Sequence, residues 1–234
     1  MVKIAALILA GGQSSRMGKD KALIPVYGVP LIRRVYDAAA PNCDSVYVIS
    51  AWGDRYQSVL PKECQFINEQ MPVKQPIQED VIKKQDSPLG GSSSPNQEAQ
   101  PIHSHGPLVG FYQGLTYLQQ QATWYGADYW VLLLACDLPH LNAAVIQDWR
   151  DCLRQCSTST IALLPPHETK GWHPLCGFYH HRCLPSLKTF IAEGGRSFQK
   201  WLAQEEVQSL PVNDSKLLFN CNTPNELRQL FRAT

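Results

Sequence analysis

Residues Leu7–Lys21, LILAGGQSSRMGKDK, decide how the rest of the chain is read. Ile4 to Ala10 is an unbroken apolar run that predicts one buried strand. The run stops at Gly11-Gly12, where the missing side chains let a ligand come close to the backbone. Beyond the glycines stand Ser14, Ser15, Arg16, Gly18, Lys19 and Lys21, all small, hydroxylated or cationic. A strand that opens into a glycine turn with cations behind it can hold phosphates. Backbone N–H groups point inward, and Arg16 and Lys21 neutralise charge. Two common phosphate loops do not fit. A Walker A loop needs G-x-x-x-x-G-K-[ST], whereas here five residues separate Gly12 from Gly18, and Asp20 stands where a magnesium-binding hydroxyl belongs. The dinucleotide fingerprint G-x-G-x-x-G is also absent.

The totals narrow the classes. The chain has 234 residues, 44% of them apolar, enough for one large α/β domain or two small ones with a real core. A formal net charge of +1 argues against binding nucleic acid or a membrane surface through bulk charge, so any anion site is local. No run of about 18 apolar residues predicts a transmembrane helix. The first strand follows Met1-Val2-Lys3 directly and does not end in a signal-peptide cleavage site, which predicts a cytoplasmic protein. The 8 cysteines form no C-x-x-C pair, and several lie inside apolar runs, so they read as reduced, mostly buried thiols.

Further along, Pro30 and LIRRVYDAAA predict an amphipathic helix, and Ser45–Ser50 and Cys64–Ile67 predict strands. Strand, helix, strand implies a mostly parallel sheet with crossover helices. Residues 70–105 break the pattern: five prolines, the run Gly90-Gly91-Ser92-Ser93-Ser94, and no period of two or 3.6 predict a flexible insertion. Helical spacing of Leu108, Phe111, Leu115 and Leu118 follows. Tyr129–Ala135 is a second buried strand, and it ends in Cys136-Asp137-Leu138-Pro139. A carboxylate at the C-terminal tip of a central strand sits where open α/β sheets bind ligands, and one such Asp suffices for magnesium alongside phosphate oxygens. Leu141, Val145, Trp149 and Cys152 mark a covering helix, Thr160–Leu164 a strand, Trp172–Tyr179 an extended segment, and Leu184–Ala192 and Phe198–Ala203 helices. Near the end, Thr223, Pro224 and Glu226 make a capping box, preceded by Asn220 and Asn222 on one face of a short strand.

Several of these segments share one resemblance. Residues 9–21 match L-A-G-G-x-S-x-R-M-G-x-D-K at every fixed position, the loop of the molybdenum cofactor guanylyltransferases, a branch of the glycosyltransferase-A-like nucleotidyltransferases. Gly106 to Gly110 (G-P-L-x-G), Cys136 to Pro139 (C-D-x-P), His173 to Gly177 (H-P-x-x-G) and Asn220 to Leu227 (N-x-N-T-P-x-E-L) also match that family's pattern. The resemblance covers residues 4–69 and 106–231 and implies a single Rossmann-like nucleotidyltransferase domain over residues 1–234, interrupted at 70–105, a connection that is short in the family.

The resemblance also implies a reaction. GTP binds with Mg2+, the terminal phosphate of molybdopterin attacks the α-phosphorus, and pyrophosphate leaves. Arg16, Lys21 and Asp137 are then the catalytic residues. Leu9, Ala10, Gly11, Lys21, Glu69 and Asp137 would bind the nucleotide, Asp137 the metal, and His173, Gly177, Asn220 and Asn222 the second substrate. Glu69 departs from the Asp that the family more often has, and the longer side chain displaces the carboxylate by about one methylene. The nucleophile is already an anionic phosphate, so no general base is needed, in keeping with the lack of any persuasive Ser/His/Asp arrangement. Implied partners are cofactor-synthesis enzymes and the enzymes that accept the product, with no nucleic acid and no membrane. Alternatives are a cytidylyltransferase acting on the same pterin, a sugar-1-phosphate nucleotidyltransferase, and a non-catalytic nucleotide-binding protein that carries the cofactor.

Overall fold

The computed structural model describes residues 2–10, 20–69, 106–221, 226 and 228. The interval 70–105, read above as an insertion, the residues Gly11, Arg16 and Asn222, and all of the capping box but Glu226 lie outside them. In chain order the elements are β1 (Lys3–Leu9), a hairpin of β2 (Pro25–Val26) and β3 (Val29–Pro30), α1 (Leu31–Ala39), β4 (Ser45–Ser50), β5 (Gln65–Asn68), α2 (Pro107–Gln120), β6 (Tyr129–Ala135), α3 (Ala143–Cys152), β7 (Ala162–Leu164), a hairpin of β8 (Pro166–His167) and β9 (Gly171–Trp172), β10 (Cys176–His180), α4 (Leu184–Ala192), α5 (Phe198–Leu202) and β11 (Val207–Ser209).

A seven-stranded sheet, ordered β11-β7-β10-β6-β1-β4-β5, forms the frame. β10 runs antiparallel to both neighbours; the other pairings are parallel. The central strands are apolar on both faces because helices cover both faces. Ile4, Ala6 and Ile8 of β1, with Leu132 and Leu134 of β6, pack under α1 and α3 through Ile32, Val35, Ile146 and Trp149. The alternate residues Ala5, Leu7, Val131 and Leu133 pack under α2, α4 and α5 through Leu108, Phe111, Leu187 and Trp201. The two-residue period of a strand therefore sorts one apolar run into two half-cores. α2 comes close because of Gly114, where a Cβ would meet Ile49 Cδ1 at 2.5 Å and Leu7 Cδ1 at 2.7 Å. The cysteines are free thiols, and burial pushes Cys43, Cys64 and Cys136 each up to about 12, so they stay protonated and inert.

The sequence reading departs from the structure at short elements. Thr160 and Ile161 precede β7 instead of joining it, and the extended Trp172–Tyr179 segment divides into the end of a hairpin, a turn, and β10. Phe219–Cys221 is irregular, so Asn220 is not on a strand as expected. The backbone there is tied instead to the central sheet, Cys221 N–H donating to the Asp137 carbonyl at 3.1 Å. A chain already anchored to the turn after β6 has no free sheet edge to join.

At the opposite end of the sheet from Asp137, β10 ends on His180, beside the start of β6. The buried His180 ring accepts the Arg182 N–H at Nδ1 (3.3 Å), which leaves its proton on Nε2, 3.0 Å from Asp128 Oδ1. His181 Nε2 approaches the same oxygen at 3.2 Å. Burial first, then Arg182, lowers the His180 pKa from 6.5 to about 4, against the pull of Asp128. The unfolded chain therefore takes up a proton on acidification before the folded one does. Stability is complete above about pH 6.5 and falls as pH drops toward 4, by at most roughly 1.4 kcal/mol per pH unit from this group. Thermal melts between pH 7.5 and 5 should show a Tm that declines below pH 6.5, and His180→Gln should flatten that decline.

Candidate functional site

The site is assembled by strand register. Leu9 of β1 lies opposite Ala135 of β6 and Ile49 of β4, and Ile49 lies opposite Ile67 of β5. These four strands are parallel, so their C-terminal ends open on one edge, across three strand spacings of about 4.8 Å each. Hydrogen bonds carry the pairing past the strand ends: Ala10 N–H donates to the Ile49 carbonyl at 3.0 Å, Cys136 N–H to Leu9 at 3.3 Å, and Glu69 N–H to Ser50 at 3.1 Å. Crevices outside the carboxyl ends of such strands are where open α/β sheets place ligands.

Along this edge the structure joins residues far apart in sequence. Asp20 caps a short 3-10 turn at Lys21–Leu23, its Oδ1 accepting the Ala22 N–H at 3.1 Å. The turn aims Lys21 across β1 at the tip of β6, where its ammonium pairs with Asp137 Oδ2. Both side chains are largely buried, 14% and 10% exposed, so the charges interact under little screening. The other Asp137 oxygen, Oδ1, is buried and has no hydrogen-bond partner among the described residues. A buried carboxylate oxygen without a donor suits a hard cation, which takes oxygen ligands and no proton. The donor set at Asp137 therefore fits a hard cation such as magnesium.

The remaining expected residues are distributed as follows. Leu9 is half-buried and Ala10 buried. The Ala10 N–H is used by Ile49 and its carbonyl accepts from Tyr56, so contact to a ligand from Ala10 must use a carbonyl lone pair or the methyl group. Glu69 sits beyond β5 against the first turn of α2, where a Cβ on Gly110 would lie 3.8 Å from Glu69 Oε1. His173 is half-buried, its N–H donating to the Pro165 carbonyl at 2.9 Å, and its ring lies 4.7 Å from that of His167. Burial, with His167 second, lowers the His173 pKa below 6.5. Asn220 is half-buried and neighbours the Cys221–Asp137 bond. Gly177 lies within β10, where a Cβ would stand 2.5 Å from the Leu163 carbonyl oxygen, so close strand packing by itself demands glycine.

The sequence reading missed two features. One is a cavity of about 360 Å³ at the ends of β4 and β5, lined among others by Ser50, Trp52, Arg55, Phe66 and Asn68. The other is Tyr56, whose buried hydroxyl meets Ala10 and Asp20. No spacing rule signals either, since Tyr56 is 46 and 36 residues from its partners. Among the described residues, Asp128, His180 and His181 bring ligand-type atoms within 4.8 Å of one another. The His180 proton on Nε2 faces that cluster, which makes it a hydrogen-bonded brace rather than a metal centre.

Comparisons with known proteins bear on the family and the fold. Residues 6–78 and 96–208 match the family described as MobA-like NTP transferase domain. The chain belongs to the MobA-like NTP transferase family. A relative from Nostoc sp., named "Probable molybdenum cofactor guanylyltransferase", is 43% identical over 227 residues, which span 97% of this chain and 90% of the relative. The Pseudomonas putida protein named molybdenum cofactor guanylyltransferase is 30% identical, spanning 95% of this chain and 94% of its own. In fold, the chain is similar to molybdopterin-guanine dinucleotide biosynthesis protein A from Archaeoglobus fulgidus, with a TM-score of 0.65 at 19% identity over 98% of this chain and 97% of that one. The MobA-like match passes over residues 79–95, inside the interval read from sequence as an insertion.

The Gly177 constraint is testable within this MobA-like frame. Gly177→Ala should lose about 1–3 kcal/mol of stability through overpacking against Leu163, measured by urea unfolding with an unchanged slope.

Proposed function

We propose that the chain transfers GMP from GTP to the terminal phosphate of molybdopterin, forming the guanine dinucleotide cofactor and releasing pyrophosphate. The observation that carries this reading is the Lys21–Asp137 pair at the strand-end edge, with Asp137 Oδ1 still open to a cation. The names of the full-length relatives support the choice of nucleotide and acceptor.

The chemistry follows from charge. An acceptor phosphate oxygen forms a bond to the α-phosphorus, the bond from the α-phosphorus to its bridging oxygen breaks, and pyrophosphate departs with that electron pair. No proton need be removed from the nucleophile, so positioning and charge neutralisation carry the catalysis. Lys21 moves its ammonium from Asp137 to the phosphates and offsets repulsion between two approaching anions. Arg16 supplies a second positive charge from the loop that Lys21 follows. Asp137 holds magnesium, which when bound neutralises the triphosphate. The base and ribose run toward β4 and β5, where Glu69 offers a hydrogen-bond acceptor and the Ser50–Asn68 cavity offers room. His173 and Asn220 face the pterin, with Asn222 and Gly177 in the same segments. The reading places the protein among cytoplasmic enzymes of cofactor synthesis, with acceptors of the product as further partners.

Incubation with GTP, magnesium and molybdopterin should release pyrophosphate; turnover with CTP and not GTP would reassign the substrate. Asp137→Asn and Lys21→Ala should each lower kcat by about 100- to 1,000-fold while circular dichroism stays unchanged. Full activity in Asp137→Asn would remove the metal assignment.

A further inference from the structure

We infer that Tyr56 is a positioning residue, holding the Lys21 turn against the end of β1 and so setting where the Lys21 ammonium stands opposite Asp137. The inference rests on the reaction proposed above for its kinetic test, but not for its structural one.

Tyr56 lies in the short 3-10 turn Gly53–Tyr56 that follows β4, and its side chain is buried. The phenol has one proton and two acceptors in reach, the Ala10 carbonyl at 3.1 Å and Asp20 Oδ2 at 3.0 Å. At the end of β4 nearby, Ser50 Oγ accepts the Trp52 N–H at 3.0 Å. The hydroxyl therefore touches the exit of β1 and the cap of the Lys21 turn together. Asp20 spends its two oxygens on separate tasks: Oδ1 caps Ala22 N–H, and Oδ2 takes Tyr56. Arg55 Nη1 stands 3.9 Å from the same Oδ2, a looser and half-exposed partner. Burial and the adjacent Asp20 carboxylate raise the phenol's pKa, so it remains a donor at any assay pH.

The chain of contacts runs in one direction. The core fixes the Tyr56 ring, its hydroxyl fixes the Asp20 carboxylate, the carboxylate caps the turn, and the turn presents Lys21. Removing the hydroxyl leaves the ring packing intact and frees Asp20 to rotate. A lysine displaced by a fraction of an ångström is a weaker partner for a developing charge. Tyr56 touches no reacting atom in this account.

The experiment compares wild type, Tyr56→Phe, Lys21→Ala and the double variant. Tyr56→Phe should lower kcat/KM about tenfold, the usual weight of a hydrogen bond to a charged group. In the Lys21→Ala background the same substitution should cost nothing further, because the two act as one unit. An equal loss in both backgrounds would mean a merely structural role and would overturn the inference, as would full activity in Tyr56→Phe. Amide hydrogen exchange gives a readout independent of turnover. Protection at Ala22 N–H should fall at least tenfold in Tyr56→Phe, while the β1 and β6 amides keep theirs. Unchanged Ala22 protection overturns the inference even if the enzyme is active; loss of it with an inactive wild type would indict the proposed reaction and leave the positioning role standing.

Discussion

The ion pair between Lys21 and Asp137 joins side chains 116 positions apart across the strand ends. A part-buried pair of this kind adds little net stability, because both charges give up water to meet. Its consequence is geometric. It requires β1 and β6 to be neighbours in one register, so that the turn after one strand faces the tip of the other. It also requires a capped turn at Asp20, without which a flexible lysine would spend its time in solvent. Among the described residues the pair leaves half of the carboxylate without a donor, and a buried oxygen with nothing to accept from is a cost unless a ligand later uses it.

Strand direction explains why segments from both halves of the chain meet at one edge. The parallel strands β6, β1, β4 and β5 all end at one edge, and their tips supply Asp137, Ala10, Ser50 and Glu69. β10 is antiparallel, so its beginning, not its end, lies at that edge. The Ala135 N–H donates to the Leu175 carbonyl at 2.9 Å, which stitches the His173–Leu175 turn beside the tip of β6. One reversed strand thereby brings a segment from the second half of the chain to the edge built by the first. At Gly177, β10 passes too close to the Leu163 carbonyl for a side chain.

Much of this was legible in the sequence, and the reasons are specific. The Tyr129–Ala135 strand and the Leu184–Ala192 helix were read to their boundaries because apolar runs and helical spacing are local signals. Lys21 and Asp137 stood out as residue types at a glycine-rich turn and at a strand tip, and the structure brings them together. The two-residue strands β2, β3, β8 and β9 are too short to carry a period. Asn220 lies off the expected strand because the chain beside it is anchored by Cys221 N–H to the Asp137 carbonyl, a long-range contact that leaves no mark on neighbouring residues. Tyr56 escaped for the same reason: its role comes from where its hydroxyl ends, which only tertiary packing decides.

The electrostatics divide labour between the two halves of the site. His167 Nδ1 accepts the N–H groups of Thr169 at 3.1 Å and Lys170 at 3.2 Å, which leaves its proton on Nε2. Its ring lies 4.7 Å from that of His173, and two imidazoles this close resist being charged together. Burial and this neighbour both hold His173 neutral at pH 7. A neutral imidazole cannot neutralise a phosphate, but it can donate or accept a directional hydrogen bond to a heterocycle. A pterin needs such directional partners, whereas a triphosphate needs charge. Among the described residues, the side of the edge formed by the first half of the chain carries the Lys21 ammonium, and the side delivered by β10 carries the His173 imidazole. An anionic acceptor would then be oriented by its ring and drawn in by its phosphate, with each half answering to a different part of the same molecule.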